Sequence, residues 1–377
     1  MTGPFPGPST APLKTPNQQL VTVFGGSGFL GRHVVRALAK RGYRIRVAVR
    51  RPSLAGHLQP LGGVGQIALV QANLRHRGSV RHALAGADAV MNLVGILQER
   101  GRQGFESVQA RGAAWIAEDA PTGVRFVQVS ALGADADSPS AYARSKAQGE
   151  AAVLERVPQA VIVRPSVIFG PGDGFFNRFA SLGRFLPVLP LAGADTRFQP
   201  VYAGDVAELI ARGVDGQLQG GRVYECGGPE VRTLRELVEF TMQGIDRKRL
   251  VVGLPAKAAD VQARIMEILD TVTLGLLPDS LKLTRDQVAL LARDNVVSPE
   301  AQAEGRTLTG VGIVPTSVEA VVPAYLLRYR KTGQFDAKTQ MVPSRDPDQI
   351  AARSGGEGSQ MTADRASGPA VGQRAAG

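Results

Sequence analysis

Two groups of residues have the types and spacing to do chemistry. The first is Gly25-Gly26-Ser27-Gly28-Phe29-Leu30-Gly31, placed after the apolar run Leu20 to Phe24 and before a helical pattern. Glycine is needed in such a turn for three reasons. One glycine makes the tight turn, one lets a pyrophosphate approach the backbone, and one lets the helix pack on the strand. Two overlapping patterns fit, Gly25/Gly28/Gly31 and Gly26/Gly28/Gly31. The helix N-terminus adds free N–H groups that face a diphosphate. The backbone of Gly25, Ser27, Gly28, Phe29, Leu30 and Gly31 is therefore a candidate dinucleotide cradle. The second group is Tyr142 and Lys146, four apart in Ser-Ala-Tyr-Ala-Arg-Ser-Lys. A helix puts them on one face. An ammonium there stabilises the phenolate and lowers the tyrosine pKa from near 10. Tyr142 could then act as general acid/base beside a nicotinamide, with Lys146 also holding the ribose.

Further contacts follow from position. The second strand ends at Val49 and runs into Arg50 and Arg51. A carboxylate there hydrogen-bonds a ribose 2′-hydroxyl, whereas arginine accommodates a 2′-phosphate. NADP(H) is expected over NAD(H). Asn73, after the third strand, could reach the adenine edge. Leu93, Val94 and Gly95 could line the cofactor groove, and Pro165 belongs to the same set. The histidines His33, His57, His76 and His82 have no metal-ligand spacing, so no metal site is expected and surface positions are the default. Cys226 ends an apolar run with no activating base in view and reads as a small buried residue. Phe175, Phe176 and Phe179 read as core residues.

The elements that position these groups alternate. Strand patterns run over Leu20 to Phe24, Arg44 to Val49, Gln66 to Val70, Ala87 to Val94, Val124 to Val129 and Ala160 to Arg164. Helical patterns run over Phe29 to Lys40, Ser79 to Ala85 and Ser140 to Val157. This order predicts an α/β fold, a Rossmann-like doubly wound parallel sheet. Past about residue 250 the pattern turns helical. Val261, Ile265, Ile268, Leu269 and Val272 recur on one face, Thr284 caps a helix over Gln287 to Arg293, and Ser317 to Arg330 forms a last helix ending at Gly333. The expected division is a flexible leader over 1–17, a nucleotide domain over 18–245, a small α-rich module over 246–335 and a disordered tail over 336–377.

The chain has 377 residues, with 44 Lys and Arg against 33 Asp and Glu, a net charge of +11 and one cysteine. No intramolecular disulfide is possible, and a reducing compartment is expected. From Met341 onward basic and acidic residues balance, so the excess charge lies in the body and favours acidic partners, including an anionic membrane face. Aromatics are only 5% and are not interleaved with basic blocks, which argues against nucleic acid.

The ordered set of segments resembles the short-chain dehydrogenase/reductase superfamily in its extended or atypical branch. Arg164-Pro165-Ser166-Val167-Ile168-Phe169-Gly170-Pro171-Gly172 is similar to the strand and turn after its Tyr helix. Gln199-Pro200-Val201-Tyr202-Ala203-Gly204-Asp205-Val206-Ala207 is similar to a later segment in which Asp205 begins a helix. A narrower resemblance covers about Leu20 to Phe335. It is to the nucleotide-binding Rossmann-like accessory subunits of respiratory complex I and their bacterial relatives, on VFGGSGFLGRHVV, SAYARSKAQGE, RPSVIFGPGDGFFNRFA and RFQPVYAGDVA. LTRDQVALLARDNVVS and GIVPTSVEAVVPAYLLRYR match the bacterial versions. That resemblance implies NADPH held as a structural element and docking on the peripheral arm of NADH:quinone oxidoreductase, on the cytoplasmic face of the inner membrane. Active members of the superfamily add a Ser or Thr after the strand preceding the Tyr helix. Here Ser130 is the only hydroxyl in Val129-Ser130-Ala131-Leu132. Either Ser130 completes the triad with Tyr142 and Lys146, or it only ends the strand and the slot falls to Ala131 or Leu132. The alternative function is an active NADP-dependent reductase or epimerase, linked to quinone biosynthesis, using Tyr142 and Lys146.

Overall fold

The apolar run Leu20–Phe24 forms β1, buried on both faces, and its neighbours follow the same logic. In the computed structural model, which describes residues 14–255 and 284–331, it is followed by α1 (Phe29–Lys40), β2 (Arg44–Val49), β3 (Ile67–Gln71), α2 (Arg77–Leu84), β4 (Ala89–Asn92), α3 (Arg111–Glu118), β5 (Arg125–Val129), α4 (Ala141–Arg156) and β6 (Val161–Pro165). Then come β7 (Ile168–Phe169), α5 (Phe176–Phe185), β8 (Val188–Ala192), β9 (Arg197–Phe198), β10 (Val201–Tyr202), α6 (Ala203–Asp215), β11 (Val223–Cys226), β12 (Arg232–Thr233), α7 (Leu234–Gly244) and β13 (Leu250–Leu254).

Seven strands make one parallel sheet in the order β3-β2-β1-β4-β5-β6-β11. Val21 of β1 stands beside Ile45 on one side and Ala89 on the other. Chain order reverses between β1 and β4, so a crevice opens at their carboxyl ends, where open α/β sheets bind ligands. β1, α1 and β2 occupy the expected spans. β3 sits one residue later than expected, and β4 is shorter than its apolar run because Leu93 already belongs to the exit turn.

The two sheet faces are covered by helices on both sides. Val21, Val23 and Val47 pack with Val34 and Leu38 of α1 and Leu209 and Ile210 of α6. Phe24, Val90, Phe126 and Ile162 pack with Ile116 of α3 and Val153 of α4. Each such fully buried side chain contributes about 2 kcal/mol. The buried hydroxyl of Thr22 donates to Ala83 O at 3.0 Å, so it costs the core little. A third core joins Phe176 of α5, Leu189 of β8, Leu237 of α7, Val251 of β13 and Val321 of a late helix, Val318–Leu326. Phe175 and Phe179 pack against it, as expected of core residues.

The late helix starts after Ser317, whose side chain makes no capping bond, and continues as a 3-10 turn, Leu327–Tyr329. Thr284 caps Arg285–Leu290, its hydroxyl accepting from Gln287 N; that helix stops short of the expected Arg293. The expected amphipathic helix around Val261 to Val272, the tail, and all of the leader but residues 14–17 lie outside the described residues. No helix among the described residues is long and apolar enough to cross a membrane.

Candidate dinucleotide and active site

The glycines after β1 have separable duties. Gly25 has φ +80°, and a methyl there would meet Val94 Cγ2 at 3.1 Å and Leu93 C at 3.2 Å. It makes the turn and seats it on the β4 exit. A methyl on Gly26 would lie 2.6 Å from Val47 Cγ1 of β2. A methyl on Gly31 would strike Gly25 O and stand 2.6 Å from Gly26 Cα, so helix and turn can touch only through glycine. Gly28 is the least crowded of the four: a methyl there would meet only Gly25 O, at 3.3 Å, a close contact that a small shift relieves. It is the N-cap of α1 and brings no capping side chain. The first-turn N–H groups, beside exposed Ser27 and half-buried Phe29 and Leu30, can therefore serve a diphosphate. Both glycine patterns are used, for different contacts. Arg32 then ties α1 to the later turn: it donates to Pro171 O and stands over the Phe29 ring at 5.3 Å.

The rest of the groove assembles around this turn. Asn92 shapes the β4 exit, accepting from Val94 N at 3.1 Å and donating to Gln128 Oε1 at 3.0 Å. A methyl on Gly95 would stand 3.2 Å from Lys146 Nζ and 3.4 Å from Gln109 Oε1. The turn at Gly25, the Leu93–Gly95 exit and Lys146 are thus contiguous. Arg50 and Arg51 are exposed at the end of β2, and Arg50 donates to Gln103 Oε1. Asn73 follows β3, but its side-chain Oδ1 already accepts from Arg75 N at 3.1 Å. Pro165 ends β6, and its carbonyl accepts from Leu132 N at 3.0 Å.

Tyr142 and Lys146 share a face of α4, with Lys146 Nζ 5.9 Å from the Tyr142 ring centroid. Phe105 stands edge-on to Tyr142 at 5.8 Å. Lys146 is 6% exposed, and its nearest acceptor is Val129 O at 3.4 Å. Burial draws its ammonium down to about 8, against the pull of the Glu150 carboxylate. The expected lowering of the tyrosine pKa is not found. Burial, reinforced by the Asp286 carboxylate, pushes Tyr142 up to about 12. A phenol enclosed near an anion resists a second negative charge.

Two buried polar atoms at this site have no protein partner, Gln109 Oε1 and Ser130 Oγ. Gln109 is held by Ser145, on α4, through Nε2 at 3.1 Å, and lies in a π-helical turn, Glu106–Ala110. Unpaired buried acceptors are costly, and these two, with the least crowded glycine, fit a nicotinamide dinucleotide laid from Gly28 towards Lys146. Gln109, Phe105 and Asp286 were not read as site residues. Asp286 lies in the first turn of the helix that Thr284 caps and looks complete there, and Gln109 and Phe105 have no sequence signature.

The other side of the site is closed by the chain itself. Residues 284–307 form a strap across the carboxyl ends of β5, β6 and β11. Asp286 accepts from Ala141 N at 2.6 Å and from Ser140 Oγ at 2.9 Å, while Ser140 caps α4 by accepting from Ala143 N. Arg293 pairs with Asp135 at 2.7 Å. Asn295 Oδ1 accepts from Ser166 Oγ at 2.7 Å, and its Nδ2 donates to Leu132 O at 3.3 Å. Glu225 accepts from Ser298 N at 2.7 Å. Leu132, two residues past Ser130, is buried against Val297 and Ala301.

Other expectations resolve simply. Cys226 is fully buried, and burial pushes its thiol far up, which removes it as a nucleophile. His57, His76 and His82 are exposed, as expected, while His33 is half-buried and stands edge-on to Phe29 and Tyr202. Asp205 lies within the first turn of α6, whose N-cap is Tyr202, and accepts from Thr316 N at 2.7 Å. It anchors the approach to the late helix. A cavity of about 490 Å³ lies between β8, β13 and the helix Arg285–Leu290, and its walls include none of the candidate site residues.

A model of the NAD dependent epimerase/dehydratase family matches residues 21–227. The chain is 34% identical over 320 residues to the mitochondrial NADH dehydrogenase (ubiquinone) 1 alpha subcomplex subunit 9 of Arabidopsis thaliana, covering 83% of this chain and 79% of the relative. It is 37% identical over 201 residues to the ceramide reductase of Caulobacter vibrioides, covering 53% of this chain and 62% of that one. Among solved structures, the NADPH-dependent quinone oxidoreductase of Escherichia coli superposes with a TM-score of 0.59 at 20% identity, covering 79% of this chain and 96% of that one, a likeness of fold. The chain belongs to the NAD-dependent epimerase/dehydratase family, and shares a family with the alpha subcomplex subunit 9 proteins.

Proposed function

With that membership as premise, we propose that the protein is an NADP(H)-holding accessory subunit of a proton-pumping NADH:quinone oxidoreductase, the nucleotide serving mainly as a structural element. The Gly25–Gly31 backbone takes the diphosphate. Arg50, with Arg51, takes the 2′-phosphate, and no carboxylate stands there to prefer NAD(H). Asn73 lies on the adenine side; Leu93, Val94, Gly95 and Pro165 line the nicotinamide side. Tyr142 and Lys146 hold the nicotinamide ribose. The partners are peripheral-arm subunits, beside an anionic membrane surface on its cytoplasmic face. Residues 18–245 form the nucleotide domain and residues 246–335 the module that supplies the strap.

A bound nicotinamide supplies a hydride-carrying ring. What the chain's own residues do around it favours retention over turnover. Tyr142, pushed up to about 12, stays a neutral donor at physiological pH. Lys146 is an ammonium below about pH 8 and a partner for ribose oxygens. The observation that carries the reading is the strap: Asn295 and Val297 pack against the residues that leave β6 and β5, and Asp286 against the N-terminus of α4, so the chain itself fills the side of the site next to Tyr142. The test is isolation from native membranes in mild detergent. Stoichiometric NADPH in a fraction that migrates with NADH:quinone oxidoreductase activity is expected; a free protein that exchanges nucleotide readily sinks the reading.

A second reading, an active NADP-dependent reductase or epimerase linked to quinone biosynthesis, is favoured by one observation. Ser130 Oγ is buried and unpartnered on the strand end before the Tyr142 helix. Oxidation of bound NADPH by a carbonyl compound, lost in Tyr142→Phe with nucleotide binding retained, is its signature.

A further inference from the structure

β8 and β13 pair in parallel as a two-stranded ribbon outside the main sheet, with Leu250 beside Val188 and Val252 beside Pro190. Alternation sends Leu189, Leu191 and Val251 into the third core and Val188, Pro190, Leu250 and Val252 outward to solvent. Phe185, at the end of α5 just before the ribbon, is 76% exposed, and Leu250 is 63% exposed. Four outward apolar side chains on the ribbon, with Phe185 just before it, form a patch of the kind monomers rarely leave uncovered.

Its rim is basic. Residues 184–190 and 244–254 contain Arg184, Arg247, Lys248 and Arg249 against the single acid Asp246. The arginines are fixed in place: Arg249 Nε donates to Gly183 O at 2.8 Å, Arg247 Nη1 to Arg184 O at 3.3 Å, and Arg184 stands over the Phe185 ring at 5.6 Å. Arg330 joins them, donating to Gly244 O at 3.0 Å. We propose that the ribbon β8–β13 with Phe185 is a docking surface for an anionic lipid face, the apolar side chains entering the headgroup boundary and the basic rim meeting the lipid phosphates. Charge complementarity selects this occupant: flat apolar area framed by cations matches the two attractions of a peripheral membrane protein. This deepens the membrane-proximal part of the function proposed above and names the face that makes the contact.

The test uses the full chain with vesicles of phosphatidylcholine, with and without phosphatidylglycerol, in a sedimentation assay. Binding to the mixed vesicles, weakened by salt and absent from phosphatidylcholine alone, is expected. Phe185→Ser combined with Leu250→Ser is expected to lower the partition constant about tenfold or more, and so is Arg184→Glu combined with Lys248→Glu. All four positions lie at the rim or on the outward face, so melting temperature and NADPH binding should hold; the charge pair keeps the test valid should the apolar pair fold poorly. Absence of binding to anionic vesicles, or both variants binding as the parent does, overturns the proposal. So does a parent dimer that the apolar pair dissolves without any change on vesicles, since the face then covers a second copy. Migration with the respiratory complex is scored separately: its persistence without vesicle binding defeats this surface and leaves the subunit reading standing.

Discussion

The two halves of the site are built by opposite means. The β1 half is made of absence: glycines that remove side chains from the turn, an N-cap without a capping group, and an exposed pair of arginines at the rim. The β5–β6–β11 half is made of occupancy: Asp286, Asn295, Val297 and Ser298 reach back across the strand ends and satisfy groups that a substrate would otherwise meet. The difference separates a half left open to a ligand from a half filled by the chain itself. A backbone cradle accepts a dinucleotide whether or not anything reacts, but a reaction needs room beside Tyr142.

The contrast can be broken most severely at Gly31. Gly31→Val forces side-chain atoms into the Gly25–Gly26 backbone, and loss of soluble folded protein is expected, read by circular dichroism and yield. Gly28→Ala, at the least crowded position, should leave the melt near the parent's while NADPH affinity falls, by calorimetric titration. Equal effects at the two glycines would refute the separate duties assigned to them.

Lys146 gives the next largest effect, and of two signs. Its folded pKa, about 8, lies below the unfolded value, so between about 8 and 10.5 the folded state holds fewer protons than the unfolded. The stability of nucleotide-free protein should therefore rise with pH across that window. Below it, the buried charge costs about 3 kcal/mol by the same shift. Lys146→Met should raise the nucleotide-free melting temperature at pH 7 and abolish that pH slope, while weakening NADPH binding. In the parent, affinity should decline as pH climbs past about 8, because an anionic ligand favours the ammonium.

Smaller is Arg50→Ala, expected to lower NADPH affinity about tenfold, about 1.4 kcal/mol, with NADH affinity unchanged; competition titration separates the two. Smallest is Asp286→Asn on the strap. Removing that carboxylate from the α4 N-terminus should cost about 1 kcal/mol, a melting shift of about 2–4 °C, and bring the Tyr142 pKa down, seen by ultraviolet titration of the phenolate. NADPH affinity should barely change if the strap belongs to the closed half alone.

The open half was legible because its rules are local. The strand, the glycine turn and α1 follow one another within Leu20–Lys40, and alternation or helical period marks each. Thr284 was readable as a cap for the same reason. The closed half was not legible. Asp286 meets Ala141 across 145 residues, and Asn295 meets Ser166 across 129. Neither pairing leaves a periodicity, and an Asp beside an N-cap Thr looks complete in its own helix. The rise in the Tyr142 pKa has the same origin: the four-residue spacing reveals the cation, whereas the burial that dominates, and the Asp286 carboxylate that adds to it, arise only when distant segments fold over the phenol.

The strap also sets an order of events during synthesis. β1 to β4 and the glycine turn seated on their exit are complete once residue 95 has emerged. Ser166, Gln199 and Glu225 stay without their final partners until residues 295–306 arrive, since Asn295, Val297, Ser298 and Arg306 supply them. A nascent chain on the ribosome can thus bind nucleotide at its first half while the edge at β11 remains raw and adhesive, the condition in which chaperones are engaged. Bound nucleotide would then steady the finished half for as long as the polymerising chain takes to deliver its own closure.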